Sequence, residues 1–341
     1  MGLFSLFNKE IAMDLGTANS IVIYNDQVVI DEPSVVAIDN TTGKIAAVGK
    51  KAQQMEGKTE KKLIDTIHPL KGGVIADYEM AQHLIRELIR MTNISRSFMP
   101  PALRMVICIP SGITNVEERA VREAAEQAGA KEIRMIHEPM AAAIGIGIDV
   151  LEPCGHMIVD IGGGTAEIAV ISLGGIVCNK SIKIAGDEFN YNIVDYMKRQ
   201  HNIVIGERTA ERVKIEVGAA ISELTEAPED HATLGRDILT GLPKEIMVNY
   251  KEVAHALDKS IGSIETAILE TLNDTPPELA ADIYKNGIYL AGGGSLLRGL
   301  DKRISAKTHL DVHIANDPLR AVARGTGIAL KNFNDFSFLI K

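Results

Sequence analysis

The sequence contains the same local pattern twice, once in each half of the chain. In both places an apolar run typical of a buried strand carries an aspartate near its end, and a glycine turn follows. Residues 11–20 read IAMDLGTANS and residues 158–167 read IVDIGGGTAE. Asp14 corresponds to Asp160 in this comparison, and Gly16 corresponds to Gly162 at the same offset. The repetition predicts two related halves, each with a strand that leads into a glycine turn.

Length and composition favour a folded protein of two domains. A chain of 341 residues is long enough to bury two apolar cores. With 46% hydrophobic and 24% charged residues, extensive disorder is not expected. The net charge of -9, without a long basic run, argues against nucleic acid as a partner. Cys108, Cys154 and Cys178 form no Cys-x-x-Cys motif, which favours a reducing compartment.

Strand and helix patterns alternate along both halves, which predicts an α/β protein with helices covering its sheets. The predicted strands include residues 11–13, 21–24, 105–109, 157–161, 168–172, 176–184 and 287–290. The predicted helices include residues 79–91, 189–200, 211–223, 250–272 and 296–307. A further helix is predicted to start from a capping box of Thr114 and Glu117 and to end at Gly129, with Val116 on its apolar side. The acidic segment 227–243 is expected to be irregular surface chain.

Three glycine turns directly follow apolar strands, and together they favour a phosphate-binding function. The turns are residues 16–19, 162–165 and 292–295. Without side chains, such turns let backbone N–H groups approach an anion closely. A single turn of this kind is more often a simple connection, but three in equivalent positions are harder to explain that way. The sequence has no P-loop and no complete dinucleotide-binding motif. We interpret Gly325 and Gly327 as positions of close helix packing.

Three acidic residues are candidates for chemistry at these turns. Asp14 and Asp160 suit a magnesium–nucleotide complex, because Mg²⁺ keeps several waters and needs few carboxylates. For either residue alone, the default interpretation is a hydrogen-bonded turn acid. Glu138 precedes a run of small apolar residues and has two interpretations, a capping charge at a helix N-terminus or the group that orients a hydrolytic water, with help from the Thr165 hydroxyl.

Two other sequence features bear on partners. Leu3, Phe4, Leu6 and Phe7 place large apolar side chains before the first strand, either as a segment packed on the protein or as a contact with a membrane surface. His309 and His313 have the spacing of metal ligands on a helix, but the local pattern there predicts a strand. We therefore expect no metal other than magnesium.

The order of these motifs resembles a known superfamily. The sequences DLGT at 14–17, EPMAAA at 138–143, DIGGGT at 160–165, GGG at 292–294 and the segment 319–330 are similar to the nucleotide-binding motifs of actin, Hsp70 and the sugar kinases. Within that superfamily, segments 31–37, 73–77, 205–211 and 275–279 resemble the MreB family of bacterial actin-like cell-shape proteins. The resemblance covers about residues 11–330.

The resemblance implies an α/β fold of two actin-like (ribonuclease H-like) lobes, each a mixed sheet covered by helices, around a central nucleotide cleft. It implies the following division: a membrane-associating segment at 1–10, lobe I at 11–140 with a small subdomain at about 31–75, lobe II at 141–318 with a small subdomain at about 186–250, and a return to lobe I with a C-terminal tail at 319–341.

The resemblance also implies roles for individual residues, with ATP or ADP and Mg²⁺ as cofactors. Asp14 and Asp160 would hold magnesium through water, and Glu138, Thr165 and Asp160 would serve hydrolysis. The phosphates would lie against Gly16, Thr17, Ala18, Asn19, Gly162, Gly163 and Gly164. The adenosine would lie against Glu211, Lys214, Gly292, Gly293, Gly294 and Ser295.

By the same resemblance, the protein would be a slow ATPase that polymerises into antiparallel double filaments on the inner face of the cytoplasmic membrane. The membrane contacts would be Leu3, Phe4, Leu6 and Phe7, with a loop carrying Phe98 and Met99. Cell-wall elongation proteins of the membrane would be its partners. Ala166 departs from the family, which often has a second threonine there, and the tail at 332–341 matches no motif of the family.

Two alternatives within the superfamily are disfavoured. A chaperone of the Hsp70 type needs a peptide-binding domain after the last motif, and this chain continues only to residue 341. A small-molecule kinase needs an acceptor base and a substrate pocket. The kinase alternative is weakened because Glu138 occupies the family's water-positioning place and large insertions are missing.

Overall fold

The computed structural model describes residues 9–92 and 103–340. Its first half contains β1 (Lys9–Leu15), β2 (Asn19–Tyr24), β3 (Gln27–Pro33), β4 (Val36–Asp39), β5 (Lys44–Val48), α1 (Lys50–Met55), β6 (Ile64–Ile67), β7 (Leu70–Lys71), β8 (Val74–Ile75), α2 (Tyr78–Met91), β9 (Leu103–Ile109), α3 (Asn115–Gln127), β10 (Ala130–His137) and α4 (Glu138–Ile146).

The second half has a comparable alternation of strands and helices. It contains β11 (His156–Ile161), β12 (Ala166–Ser172), β13 (Gly175–Ile182), α5 (Gly186–His201), β14 (Ile203–Val204), α6 (Glu207–Val217), β15 (His231–Asp237), β16 (Pro243–Val248), α7 (Tyr250–Asn273), α8 (Pro277–Asn286), β17 (Ile288–Ala291), α9 (Leu300–Thr308), β18 (Val312–Ile314) and α10 (Ala321–Lys331), with 3₁₀ turns at Gly293–Leu296 and Pro318–Arg320.

The chain divides into two compact units. Unit 1 comprises Met1–Pro153, Ile171–Ile176 and Leu319–Lys341, and unit 2 comprises Cys154–Val170 and Val177–Pro318. The lobe boundary predicted after residue 140 falls inside α4. All of α4 belongs to unit 1 because it packs along α10. The smaller subdomains expected at about 31–75 and 186–250 stay predictions.

Unit 1 is built on a five-stranded sheet in the order β10-β9-β1-β2-β3. Strands β1, β9 and β10 are parallel, β2 pairs antiparallel with β1, and β3 pairs antiparallel with β2. Ile11 and Met13 of β1 share one core cluster with Leu84 and Leu88 of α2, and α10 packs on β1 and β9. With helices packed on it, β9 is almost wholly buried, which explains its continuous apolar run.

Unit 2 is built on a second five-stranded sheet in the order β13-β12-β11-β17-β18, in which β11, β17 and β18 are parallel. Met157 and Val159 of β11 pack in one core cluster with Phe189 of α5 and Leu257 of α7. The chain therefore does build two similar sheets, as the repeated pattern predicted.

Several local predictions are confirmed and several are wrong. The capping box of Thr114 and Glu117 begins α3, but Val116 lies on the solvent side of that helix and is 79% exposed. The helix predicted at 211–223 ends at Val217, because Gly218 takes an extended conformation and Ala220 donates its N–H to the Arg298 carbonyl at 2.9 Å. The helix predicted at 296–307 begins only at Leu300.

The segment 227–243 was predicted to be irregular, and this prediction is wrong. Part of it forms the antiparallel pair β15 and β16, with His231 opposite Val248 and Arg236 opposite Pro243. The expectation that it lies at the surface is confirmed, since only Thr233 in the segment is buried.

Some predictions fall where the structure cannot test them. Leu3, Phe4, Leu6, Phe7, Phe98 and Met99 lie outside the described residues. Among the helices within 9–92 and 103–340, none combines the length and apolar character that a membrane span requires.

Candidate functional site

The first glycine turn, residues 16–19, joins β1 to β2 and is braced from two sides. The Ser34 hydroxyl donates to the Gly16 carbonyl at 2.6 Å, and the Gly73 N–H donates to the Thr17 hydroxyl at 3.0 Å. A Cβ at position 16 would lie 2.6 Å from the Asn19 carbonyl oxygen, so the turn closes this tightly only with glycine. The four residues keep partial or full solvent access, so an outside anion can reach the turn.

Asp14 lies one residue before the end of β1, opposite Ile21 of β2 and Cys108 of β9. The side chain is partly accessible, but the surrounding protein removes enough water that burial raises the pKa of its carboxyl from 3.8 to about 7. A cation bound next to the carboxylate would favour its charged form and lower the pKa again. The position therefore suits a carboxylate that accepts a cation.

The raised pKa gives a prediction about the ligand-free protein. The folded state holds the Asp14 proton that the unfolded state releases, so the free energy of unfolding falls as the pH rises from about 4 to about 7. We expect Asp14→Asn to remove this penalty and to stabilise unit 1 at pH 8 by as much as about 4 kcal/mol, with little gain at pH 4. Urea denaturation at both pH values measures the difference.

Asp39 provides a control of opposite sign for the Asp14 experiment. Hydrogen bonds from Thr41, the side-chain bond first, lower the pKa of the Asp39 carboxyl. The Asp39 carboxylate therefore stabilises the folded protein at pH values above the pKa that Asp39 has in the unfolded chain, and this stabilisation is lost as the pH falls. We expect Asp39→Asn to lower the free energy of unfolding at pH 8. A gain for Asp14→Asn that does not change between pH 4 and pH 8 would contradict the assignment.

Glu138 is the first residue of α4 and follows the last residue of β10. Both Asp14 and Ile136 lie level with Cys108 across the parallel strands β1, β9 and β10. Since neighbouring strands are about 4.8 Å apart, the Asp14 and Ile136 backbones are about 10 Å apart. Glu138 lies two residues beyond Ile136. Unit 1 thus brings Asp14, the first glycine turn and Glu138 to one edge of its sheet, outside the strand ends where α/β proteins bind ligands.

The second glycine turn, residues 162–165, closes by a hydrogen bond from the Gly162 N–H to the Thr165 carbonyl at 2.9 Å. The start of α5 lies directly beside it. The Gly186 N–H donates to the Gly162 carbonyl at 3.1 Å, and the Asp187 N–H donates to the Gly163 carbonyl at 2.8 Å. These bonds fix the turn to the N-terminal end of a helix.

The third glycine turn, residues 292–295, packs against the strand that leads into the second. Asp160 pairs with Ala291 across the parallel strands β11 and β17. Gly292 has a φ of 76°, and a Cβ there would lie 2.3 Å from the Ile161 carbonyl oxygen and 2.5 Å from Asp160 Oδ1. A Cβ on Gly294 would lie 2.3 Å from the Ile161 side chain. Glycine is required at both positions for this contact.

Glu211 and Lys214 lie one turn apart on α6 and form an ion pair, with Lys214 Nζ 2.7 Å from Glu211 Oε2. Lys214 Nζ also donates to the Gly186 carbonyl at 3.2 Å. Since Gly186 is bonded to Gly162, the ion pair belongs to the same cluster as the second glycine turn. Unit 2 therefore brings together Asp160, both of its glycine turns, Glu211 and Lys214.

Two of the predicted site residues, Ser295 and Thr165, are buried. Ser295 is fully buried, and its hydroxyl donates to the Gly292 carbonyl at 2.7 Å, so it stabilises the turn and does not present a hydroxyl to a ligand. Thr165 is also buried, and its carbonyl closes the second turn. Both residues support the backbone on which the glycines lie.

The sequence interpretation missed the residues that brace the turns. Gly186 and Asp187 contact the second turn, and Ser34 and Gly73 contact the first. Gly186 follows β13 directly after an apolar segment, as the other site glycines follow their strands, so that position was a usable signal. Ser34 and Gly73 are distant in sequence from the turn they brace, and no local pattern indicates their role.

In the described residues, no group of three or more His, Cys, Asp or Glu side chains has the arrangement to hold a metal ion. His309 ends α9 in a left-handed conformation, while His313 lies on β18 with its ring 5.3 Å from that of Tyr289. The two histidines are thus on different elements, and the strand predicted at His313 is confirmed as β18.

Comparison with known proteins gives a consistent result over nearly the whole chain. The model of the MreB/Mbl protein family matches residues 8–337. The cell shape-determining protein Mbl of Bacillus subtilis is 44% identical over 96% of this chain and 98% of its own length. The cell shape-determining protein MreB of Escherichia coli is 44% identical over 96% of this chain and 94% of its own.

Solved structures show the same similarity. The crystal structure of MreB5 of Spiroplasma citri bound to AMPPNP has a TM-score of 0.89 and 39% identity, covering 96% of this chain and 97% of that one. A MamK double helical filament has a TM-score of 0.79 at 23% identity, covering 95% of this chain and 99% of the MamK chain, a likeness that extends to the fold alone.

Proposed function

Because the chain belongs to the MreB/Mbl family of cell shape-determining proteins, we propose that it binds ATP and ADP, hydrolyses ATP slowly and polymerises into filaments. The α/β fold of actin-like type predicted from the sequence is confirmed by this membership and by the two sheets of the structure.

The observation that carries the proposal is the cluster in unit 2. There, Asp160 lies against Gly292, the second glycine turn lies against the start of α5, and the Glu211–Lys214 pair is joined to that turn through Gly186. Glycine backbones beside a helix start suit phosphate oxygens, and the ion pair supplies polar groups for a nucleoside. The MreB5 relative, at 39% identity, has been solved with AMPPNP and with ADP.

The residues present also suit a magnesium ion on the nucleotide. Asp14 holds a desolvated carboxyl whose charged form a cation would favour, and Asp160 is a buried acid at the equivalent strand end. We propose that each of these carboxylates is able to hold magnesium through the water ligands of the ion. When bound, Mg²⁺ neutralises charge on the phosphate oxygens. We propose that each unit binds phosphate oxygens through its own glycine turn, residues 16–19 in unit 1 and residues 162–164 in unit 2.

Hydrolysis needs a group that orients the attacking water. We assign this role to Glu138, which lies at the strand edge shared with Asp14 and the first turn. The buried position of Thr165 gives it the smaller role of holding the second turn in shape. The proposed reaction is transfer of the terminal phosphoryl group to water, which requires no further substrate pocket.

Self-association is supported by an exposed apolar surface on the hairpin of β15 and β16. Leu234, Leu239, Leu242 and Met247 are all exposed there, and Leu239 is 83% exposed. Leu234 and Met247 lie on one face, because the register pairs Leu234 with Glu245 and Ala232 with Met247. A cluster of large apolar side chains on the surface favours contact with another protein. We propose a second copy of this chain as the occupant.

We further propose that the filaments are antiparallel and double and lie on the inner face of the cytoplasmic membrane, next to membrane proteins of cell-wall elongation. The sequence support is the apolar set Leu3, Phe4, Leu6 and Phe7, with Phe98 and Met99 as a second contact. Lys9 is the one basic residue among the first ten, so apolar burial would supply most of the binding energy.

Sedimentation of the purified protein with ATP, Mg²⁺ and liposomes tests the proposal. We expect ATP-dependent pelleting and double filaments on the lipid surface. Leu239→Asp is expected to keep nucleotide binding and to lose most of the pelleting without lipid, because it places a charge in the proposed subunit contact. Glu226→Gln, at an exposed position outside the hairpin, is the control. A soluble monomer that phosphorylates an added sugar or acid would instead establish the small-molecule kinase.

A further inference from the structure

Asn190 on α5 makes an interaction that the proposed function does not use. Its side chain is 5% exposed, and Nδ2 donates to Glu211 Oε2 at 2.7 Å. Lys214 Nζ contacts the same oxygen at 2.7 Å. Two donors from two helices therefore converge on one carboxylate oxygen, which fixes the Glu211 side chain in one orientation.

The other oxygen of Glu211 is left for a ligand. In the described part of the chain, the hydrogen bonds of Glu211 go to Oε2, and the side chain is still 46% exposed. A carboxylate oxygen held in this way accepts hydrogen bonds from an outside donor, and its charge is balanced by Lys214. Hydroxyl groups are the donors that a nucleotide presents between its base and its phosphates.

Folding stability alone does not explain why an asparagine occupies position 190. Its Oδ1 is buried, and no group in the described residues hydrogen-bonds to it. A buried acceptor without a partner is unfavourable, whereas an apolar residue of the same shape at such a position is often neutral or stabilising. The amide therefore makes one strong bond to Glu211 and leaves its other polar atom unsatisfied.

We propose that Asn190 is a positioning residue that orients the Glu211 carboxylate toward the ribose hydroxyls of the bound nucleotide. The inference rests on the proposed nucleotide binding. It names the contact by which the protein would prefer nucleotides that carry ribose hydroxyls. Asn190 does not touch the ligand. It acts through Glu211, and Lys214 connects the same carboxylate to Gly186 beside the second glycine turn.

The test compares binding of ATP and of 2′,3′-dideoxyATP to the full-length protein. We expect the wild-type protein to bind ATP about tenfold or more tightly than the dideoxy analogue, because hydrogen bonds to a charged group contribute at least that much to affinity. Asn190→Leu is expected to bind ATP about tenfold more weakly and to bind the dideoxy analogue within about threefold of wild type. Its urea denaturation midpoint should be equal to or above that of wild type, which a merely structural asparagine would not give.

Two further variants make the comparison specific. Asn192→Leu lies on the same helix and breaks a bond to the Ser260 hydroxyl, so it should keep the ribose preference. Glu211→Gln should lose the preference, and adding Asn190→Leu to it should cause no further loss, because the two residues act through one contact.

The outcomes separate the two claims. A wild-type protein that binds neither nucleotide overturns the proposed function, and the inference with it. A wild type that binds ATP without preferring it over the dideoxy analogue overturns the inference alone, and so does an Asn190→Leu protein with an unchanged preference. A preference lost in Asn190→Leu and Glu211→Gln, and kept in Asn192→Leu, supports the inference.

Discussion

Gly325→Ala is expected to destabilise unit 1 by about 3 kcal/mol, although replacing glycine by alanine inside a helix normally stabilises it by about 1 kcal/mol. Gly325 lies in α10, where a Cβ would be 1.7 Å from the Ala141 carbonyl oxygen of α4. The contact is reciprocal, since a Cβ on Gly145 would be 1.9 Å from the Ala321 carbonyl oxygen. The two helix backbones touch, and a methyl group forces them apart.

The expected loss depends on backbone atoms that have no room to move aside. Neither carbonyl is at the end of a flexible side chain, and the Gly145 carbonyl also accepts a hydrogen bond from Arg324 Nε at 2.6 Å. Separating α4 from α10 would weaken this bond and open the packing along both helices. Urea denaturation followed by circular dichroism, with hydrogen exchange in α4 and α10, measures the effect.

Gly327→Ala is the matched control in the same helix. A Cβ there would lie 3.2 Å from the Cδ1 atom at the end of the Ile23 side chain, which can rotate away. We expect its unfolding free energy to stay within about 1 kcal/mol of wild type. Equal stabilities of the Gly325→Ala and Gly327→Ala proteins would show that the helices separate without cost, and the backbone contact would then not hold α4 in place.

The parts of the fold that could be predicted from sequence are those determined by local pattern. The apolar run of β9 and the capping box at Thr114 were read correctly, because burial on both sides of a strand and capping of a helix start each leave a local signal. Close helix packing at Gly325 was also predicted, but its partner was not. A glycine indicates that something approaches closely, and only the tertiary fold shows that Ala141 does so.

The hairpin of β15 and β16 could not be predicted, because it leaves only a weak local pattern in the sequence. Its residues are mostly exposed, so the alternation of apolar and polar residues that marks a half-buried strand is weak. Gly235 in the middle of β15 argued further against a strand, yet glycine fits there because a Cβ would lie 2.6 Å from the Val204 carbonyl of the neighbouring strand. Pairing with β14 decides the structure of this segment.

The candidate site shows the same division between local and tertiary information. The glycines of the three turns, with Asp14, Asp160 and Glu138, stood out in sequence because they lie at or just beyond the ends of strands. Ser34, Gly73 and Asn190 did not, because they act on turns or side chains that lie far from them along the chain. Sequence therefore indicated the groups expected to touch a ligand, and the structure added those that hold them in position.

Glu138→Gln is expected to reduce the rate of ATP hydrolysis by about a hundredfold or more, with nucleotide affinity within about twofold of wild type. The amide keeps the shape of the side chain but cannot accept a proton from water. Glu138 begins α4, and α4 is held by the glycine contact with α10, so the position of this carboxylate depends on the packing tested by Gly325→Ala. Phosphate release and binding of a fluorescent ATP analogue measure the two quantities separately.

The control for Glu138→Gln is Glu126→Gln, which makes the same chemical change at the exposed end of α3 and should leave both quantities unchanged. A capping charge at the start of α4 would give a different result, because its loss would lower the stability of α4 by about 1 kcal/mol or less and leave hydrolysis nearly intact. Loss of hydrolysis with an unchanged unfolding free energy therefore assigns Glu138 to the water. Loss of stability with normal hydrolysis assigns it to the helix, and another group must then orient the water.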